Sequence, residues 1–503
     1  MNNTSKKKLS KKELRQKRKI ERTVGLALTV VMLILMAVFV GLLISIDVLP
    51  TVYIIAIVVV MILLLLYVFL SQFTKAHMVG KVLAVIMSIL FAIGSFYLAK
   101  TFIALDDIGD NSETDVMSIV VLKESSAQSV ADTKDLSYGV YKGNSADLVD
   151  NTLKEVEDET GGKVSVIEYN NWAEVVNALY SQEVQVIILN ESYRATIEGI
   201  EYYANFSEDT RVLGYNEIKN EPVDLKVPDK EITDETFTVL LSGMDNEGKL
   251  GTKGHSDVNI IATVNPTTRE VLLVTTPRDT YLTFYYGDGT SSGSGKSKLT
   301  HSGNSGIACT LTTLEKYYDI DIDYYVRLNF TGLMKLVDAL GGIEVESDYA
   351  FTSYAKTHTY VKGVNKMDGY AALIFARERH AFADGDFQRN RNQIKVINAI
   401  LDKILSPTIL TSYTGIMESL SDWVSTNIPQ KQITNLVKAQ LEDMSGWTIK
   451  SFNMTGGTGS EYCFDSGMNL SIVYEDANMK ELAKAKMKAV EQGIDPDTIT
   501  SVQ

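Results

Sequence analysis

Three apolar stretches near the start of the chain, residues 24–46, 52–70 and 82–99, constrain its fold more than any other feature. Each is about as long as the twenty-odd residues that cross a bilayer as a helix, and they follow one another closely. A cleaved secretory leader has a shorter apolar run and is not followed by two more. The pattern therefore predicts a three-span membrane anchor. Ten basic residues, beginning at Lys6 and ending at Arg22, precede the first stretch; residues 47–51 contain none, and the next connection adds Lys75 and Lys81. Basic flanks stay on the cytoplasmic side, so the amino terminus is expected inside and everything after residue 100 outside, beside the outer leaflet of the lipid bilayer. The basic tail reads as this topology signal; the competing reading is a DNA-binding arm.

The 503-residue chain carries a net charge of −15 although its first 22 residues are strongly basic, so the remainder is more acidic still. That balance argues against nucleic-acid binding by the large domains. Cys309 and Cys463 are the only cysteines, too few for a disulfide framework or a cysteine metal site, leaving a single bridge as the one open pairing. The length calls for more than one core. The expected divisions are a basic tail (1–23), three spans (24–100), an accessory domain (110–220), a linker (221–235), a catalytic domain (236–485) and a C-terminal tail (486–503).

In the accessory region, strand-like runs at 117–122, 163–167 and 184–189 alternate with helix-like stretches at 146–157 and 172–180, which predicts a small α/β unit. It holds no cluster of ionisable residues suited to chemistry, so a spacer or interaction role is expected. Residues 220–233, with Pro222 and Pro228 among charges, read as a linker. Beyond it, residues 236–242, 258–264 and 270–275 read as three strands. Their connections are short, which favours antiparallel pairing. An up-down-up order then brings Asp245, Asp257 and Arg278 to one sheet edge.

Two neighbouring carboxylates repel unless a cation lies between them, and Mg2+ commonly binds one or two carboxylates together with substrate phosphates. The alternative is that both aspartates cap turns or pair with lysines. Further on, Asp368-Gly369 opens a short helix, followed by a basic segment holding Arg377, Arg379 and Arg389. Alternation in an extended segment puts Arg377 and Arg379 on one side, and Arg389 and Gln393, four apart on the next helix, share a face. Three guanidiniums so gathered suit a pyrophosphate; equally, Glu378, Asp384 and Asp386 could pair with them as a surface network. Ile394, Ile397, Leu401 and Ile404 are expected to pack that helix on the sheet rather than line a lipid tunnel. The Gly293-Ser294-Gly295-Lys296-Ser297 run lacks the first glycine of a phosphate-binding loop, the histidines lack metal-ligand spacing, and no serine-hydrolase elbow is present. His301 and His380 are expected to be structural.

Several motifs together resemble the LytR-CpsA-Psr family, and within it the streptococcal capsule-locus members: Ser242-Gly243-Met244-Asp245, Ser256-Asp257-Val258, Asn265-Pro266, Thr276-Pro277-Arg278-Asp279-Thr280, Lys298-Leu299-Thr300-His301, Arg327-Leu328-Asn329-Phe330, Leu340-Gly341-Gly342-Ile343 and the 377–393 block. The resemblance implies an α/β/α sandwich around a mixed sheet, enclosing a hydrophobic tunnel for a polyprenyl chain with its phosphates at the mouth. It implies Mg2+ held by Asp245 and Asp257, and a lipid pyrophosphate bound by Arg278, Arg377, Arg379, Arg389 and Gln393, with Lys298 a further candidate. The implied reaction moves a glycan phosphate, capsular polysaccharide above all, from undecaprenyl pyrophosphate to peptidoglycan, with Asp245, Asp257 and Asp386 as candidate bases. Other capsule-assembly proteins are implied partners. Arg391 is set aside, because one residue turns a helical side chain by about 100°. The rival functions are a capsule regulator with a DNA-binding tail and a polyprenyl pyrophosphate hydrolase that uses water as acceptor.

Overall fold

The computed structural model describes residues 10–108, 112–220, 225–245, 251–406, 416 and 423–501. The chain forms two compact units, Met1–Asp106 with Gln430–Ser445, and Asp107–Pro429 with Gly446–Gln503.

The first unit is built on α1 (Lys11–Ile46), α2 (Thr51–Ser71) and α3 (His77–Ile108). All three are long and apolar enough to cross a membrane, with mean hydropathies of 3.0, 3.2 and 2.4 over their most apolar stretches. Helix α1 starts well before its apolar run because Ser10 and Glu13 form a reciprocal capping box, so residues 11–23 of the expected basic tail are helical. Met32, Met36, Met61, Val68, Ala84 and Phe91 pack between the helices. Val52, Leu63 and Ile86 point outward and exposed, the inverse of a water-soluble bundle.

The second unit begins with β1 (Thr114–Leu122), β2 (Ser137–Val140), α4 (Ala146–Thr160), β3 (Ser165–Glu168), α5 (Trp172–Tyr180), β4 (Val186–Asn190), α6 (Arg194–Glu198), α7 (Phe206–Asp209) and β5 (Thr210–Lys219). These form a five-stranded sheet in the order β3-β2-β4-β1-β5. Strands β2 and β5 were not among the expected elements; β5 pairs antiparallel with β1 from Thr114 to Leu122. One apolar core lies around Trp172, Leu179, Ile187 and Phe206, and another around Met117, Tyr138, Val149 and Ile188. Residues 225–231 contain no regular element.

The chain then continues through β6 (Phe237–Met244), β7 (Ser256–Asn265), β8 (Glu270–Thr275), β9 (Tyr281–Tyr285), β10 (Ser291–Lys298), α8 (Leu299–Ser302), α9 (Ile307–Tyr318), β11 (Tyr324–Asn329) and α10 (Phe330–Ala339). After these come β12 (Ile343–Ser347), β13 (Phe351–Thr352), β14 (Thr359–Tyr360), β15 (Gly363–Met367), α11 (Gly369–Arg377), α12 (Asp386–Ile404), β16 (Val424–Thr426), β17 (Thr448–Asn453), β18 (Thr458–Cys463), β19 (Met468–Val473) and a helix at Ala477–Glu491. The main sheet has the order β16-β11-β6-β7-β8-β17. It is mixed: β6, β7 and β8 run antiparallel as their short connections require, while β11 joins β6 and β17 joins β8 in parallel.

Helices cover both faces, giving an α/β/α sandwich. On one face Leu240, Ile261, Leu272 and Val274 pack against Ile307, Leu311 and Leu314 of α9 and against Ala483, Met487 and Val490. The last two place the 477–491 helix inside the core, so an expected tail starting at residue 486 is corrected: its apolar face is needed to close the sheet. Cys309 and Cys463 are both buried and free, not bridged, and burial pushes the Cys309 thiol up to about 12. The Gly-Ser stretch 293–297 lies in the β9–β10 pair, with no phosphate-loop geometry.

Candidate active site

Strand β6 ends at Met244 opposite Ser256, with a register irregularity at Gly243/Met244. Asp245 therefore follows the end of one strand while Asp257 is the second residue of the next, and the Asp245 amide donates to the His255 carbonyl at 3.4 Å. Arg278 follows β8, held where the Thr276 amide donates to Asn259 and the Thr300 amide donates to the carbonyl of Arg278. Its Nη1 donates to both oxygens of Asp257 at 2.6 Å, and Thr300 Oγ1 adds a bond to Asp257 at 2.9 Å.

The two carboxyls differ electrostatically. Burial and the nearby Asp257 raise the pKa of Asp245 against the pull of Arg377 and Arg278. Burial also works against ionisation of Asp257, but Arg278, Arg389 and the Thr300 hydroxyl outweigh it and hold its pKa below the carboxylate range. Burial opposes the charge of Arg278, and Asp257, Asp279 and Asp386 overcome that, raising its pKa. His255, fully buried, is pushed down to about 3, first by burial and then by His301, and is neutral.

From the other side of the sheet, Asp368 caps α11 by accepting from the Ala371 amide, and Arg377 sits at the far end of that helix. Arg377 is thus helical rather than extended. Its guanidinium lies 4.0 Å over the Phe330 ring and 3.5 Å from Asp245. Arg379 lies 3.8 Å from Asp386, which also accepts from Arg389 at 3.0 Å. Arg389 is buried on α12, where burial and then the neighbouring Arg278, against the pull of Asp386, lower its pKa. Arg278 Nε and Arg389 Nε are buried without a hydrogen-bond partner among the described residues, and Arg278 Nε lies 3.7 Å from Asp279. Paired guanidiniums with orphaned donors fit a multiply charged anion, and two carboxyls of which one is raised by the other fit a divalent cation between them.

Asp245, Asp257, Arg278, Arg377, Arg379, Arg389 and Gln393 all line one cavity of about 650 Å³. Its interior is apolar: Leu241, Val326 and Leu328 from the sheet, Phe330 and Leu333 from α10, Leu373 from α11, and Val396, Ile397, Ile400, Leu401 and Ile404 from α12. The expectation that Ile397, Leu401 and Ile404 pack on the sheet is therefore corrected: these side chains wall the cavity, while Ile394 is buried outside the lining. Lys298 is not brought to the cavity; it pairs with Asp279 at 3.2 Å. Arg391 turns away to Asp384 at 2.6 Å. Among the described residues, Glu378 pairs with no arginine. Almost fully buried, it accepts from the amides of Tyr354 and Ala381 at 2.6 and 3.0 Å, tying together two loops of the cavity rim. Thr300 and His255 escaped residue-by-residue reading, and Glu378 was expected only as a partner of the arginines. Thr300 and Glu378 lie inside motifs that mark the site, whereas His255 has only its proximity to Asp257 as a signal. His301 is buried against Asp465 at 2.8 Å, while His380 is exposed on the cavity rim beside Tyr354.

The profile of the LytR_cpsA_psr family matches residues 200–488. Among curated relatives, the polyisoprenyl-teichoic acid–peptidoglycan teichoic acid transferase TagU of Enterococcus faecalis is 32% identical over 262 residues, covering 51% of this chain and 80% of the relative. The protein of the same name from Bacillus cereus is 32% identical over 244 residues, 48% of this chain and 77% of the relative. Among solved structures, B. subtilis TagV is 26% identical with a TM-score of 0.43, covering 52% of this chain and 99% of that one.

Proposed function

Since the chain belongs to the LytR-CpsA-Psr family, we propose that it is a membrane-anchored transferase that moves a glycopolymer from a polyprenyl pyrophosphate carrier to peptidoglycan outside the cytoplasm. One observation carries the reading: a cluster of acids and guanidiniums stands at the mouth of a deep apolar cavity, which is what a ligand with a diphosphate head and a hydrocarbon tail requires. Charge asymmetry of the flanks supports an outside location for the site. The three spans and the module ahead of the catalytic sheet support capsular polysaccharide as cargo, by likeness to capsule-locus members. The relatives named above act, by their names, on teichoic acid.

In this reading the hydroxyl oxygen of the acceptor sugar attacks the phosphorus that carries the glycan. The bond from that phosphorus to the bridging oxygen breaks, polyprenyl phosphate leaves with the electron pair, and the hydroxyl proton passes to a carboxylate among Asp245, Asp257 and Asp386. Arg278, Arg377, Arg379, Arg389 and the Gln393 amide hold the phosphate oxygens and stabilise the charge that grows on the leaving oxygen. Asp245 and Asp257 are the residues that would hold Mg2+, which when bound neutralises diphosphate charge. The lining from Leu241 to Ile404 takes the chain and keeps water from the reacting bond.

The test is the full chain in detergent with Mg2+, a lipid-linked oligosaccharide and peptidoglycan fragments, scored for glycan joined to peptidoglycan. Asp257→Ala and Arg379→Ala should each lower turnover by about a hundred-fold or more. Parental turnover in both would remove the site assignment, and release of free glycan phosphate in place of the joined product would make water the acceptor.

A further inference from the structure

The loop joining β6 to β7 runs between the two site aspartates, and its residues 251–255 are gripped by the N-terminal α/β module. The Thr114 amide donates to the Gly251 carbonyl, and Thr114 forms a parallel bridge with Thr252. Lys253 Nζ lies 2.7 Å from the carboxylate of Asp115, which also accepts from Asn190 at 3.0 Å and Asn220 at 2.7 Å. Thr196 Oγ1, from α6, is 2.8 Å from His255 Nε2 and accepts from Asn304 at 3.2 Å. The carbonyl of that same His255 receives the Asp245 amide, and Asp257 follows two residues later.

Two further contacts join the module to the catalytic sheet. Glu113 pairs with Arg327 of β11 and accepts the Ile307 amide at the start of α9. It fits there because Gly306 has φ +96° and no side chain; a Cβ would come within 2.1 Å of the carboxylate. At the other end, Asn171 sits where a Cβ on Gly467 would approach within 2.2 Å, and Met468 and Leu470 of β19 pack into the module's own core. A tether that only spaces the catalytic sheet from the membrane would need none of this, since such interfaces are ordinarily small and replaceable.

Taking Asp245 and Asp257 as the site, and so resting on the function proposed above, we infer that the N-terminal module is part of the active site's construction. Through Asp115–Lys253 and Thr196–His255 it fixes residues 251–256, and with them the placement of the two aspartates. Thr196, Lys253 and His255 are positioning residues: they touch no substrate and act through the loop. A constellation of charges works only when its supports are locked, and buried polar contacts lock direction as well as distance.

The experiment compares the full chain in lipid nanodiscs with Thr196→Val, Lys253→Met and Thr196→Ser. Three quantities are measured: amide exchange across residues 251–258, Mg2+ affinity by calorimetry without lipid, and kcat and KM for the lipid-linked donor. In Thr196→Val and Lys253→Met, exchange should rise in that segment but not in β8. Mg2+ affinity and kcat should each fall about ten-fold while KM stays within about two-fold, the pattern of misplacement rather than lost binding. Thr196→Ser, which keeps the hydroxyl, should match the parent. Parental Mg2+ affinity and kcat in both variants overturn the inference, whether or not exchange rises. If the parent transfers no glycan, the functional reading fails, and exchange with Mg2+ affinity still decides the clamp.

Discussion

The two faces of the catalytic sheet use the same kinds of residue to opposite ends. On one face Leu240, Tyr325 and Val274 are buried in a closed core beneath α9 and the 477–491 helix. On the other, Leu241 and Val326, the immediate neighbours of Leu240 and Tyr325, together with Leu328 face a cavity under α10, α11 and α12 and remain partly open. Alternation along a strand produces two apolar faces, and what is laid over each decides which becomes core and which becomes a site. The polar groups differ in the same way. Beside the closed face, Asp465 receives bonds from Ser297, Ser466 and His301. At the cavity mouth, the Nε atoms of Arg278 and Arg389 have no hydrogen-bond partner among the described residues.

The contrast breaks most visibly in stability. Leu314→Ala, at a fully buried position of α9, should cost about 2–5 kcal/mol, because a cavity opens where none existed. Leu328→Ala, on the opposite face and already bordering a void, should cost about 1 kcal/mol or less. Thermal unfolding of the full chain, followed by circular dichroism, separates them; equal drops in Tm would erase the distinction between the faces.

The polar side of the comparison has its own test. Burial works against the Asp465 carboxylate, but His301, Ser297 and the Ser466 amide hold its pKa below the ordinary range. A depressed folded pKa contributes stability above the unfolded value of about 4 and loses it as pH falls through the folded value. Asp465→Asn should therefore cost about 1–3 kcal/mol at neutral pH. The gap between variant and parent should narrow below about pH 4. A constant gap from pH 7 to 3 would mean that the carboxylate's charge does nothing there.

What could be read in advance follows the same division. The three spans, the β6–β7–β8 meander and the meeting of Asp245, Asp257 and Arg278 were legible because short connections allow few pairings, and strand ends then settle which residues meet. The cavity was not. Ile397 and Leu401 show the helical period of a packed face, and periodicity cannot distinguish a sheet from a void opposite. Glu378 looked like one more partner for the arginines; that it turns inward to the Tyr354 and Ala381 amides depends on a loop 24 residues earlier. Thr196 and His255 are 59 residues apart, and no local pattern announces contacts between separate sheets.

The smallest effect is also the sharpest discriminator, since it concerns the void itself. Ile397 is partly exposed to the cavity, so Ile397→Trp adds volume where there is room, whereas the same exchange at Leu314 would force a closed core apart. Tm should stay within about 2 °C of the parent. Transfer from a full-length polyprenyl donor should fall about ten-fold, equivalent to about 1.4 kcal/mol of lost binding, because the tryptophan takes space the hydrocarbon needs. A donor with a chain of two or three isoprene units should lose less. Equal losses with both donors would mean that the deep part of the cavity holds no chain, and that the second face of the sheet is simply a core left incompletely filled.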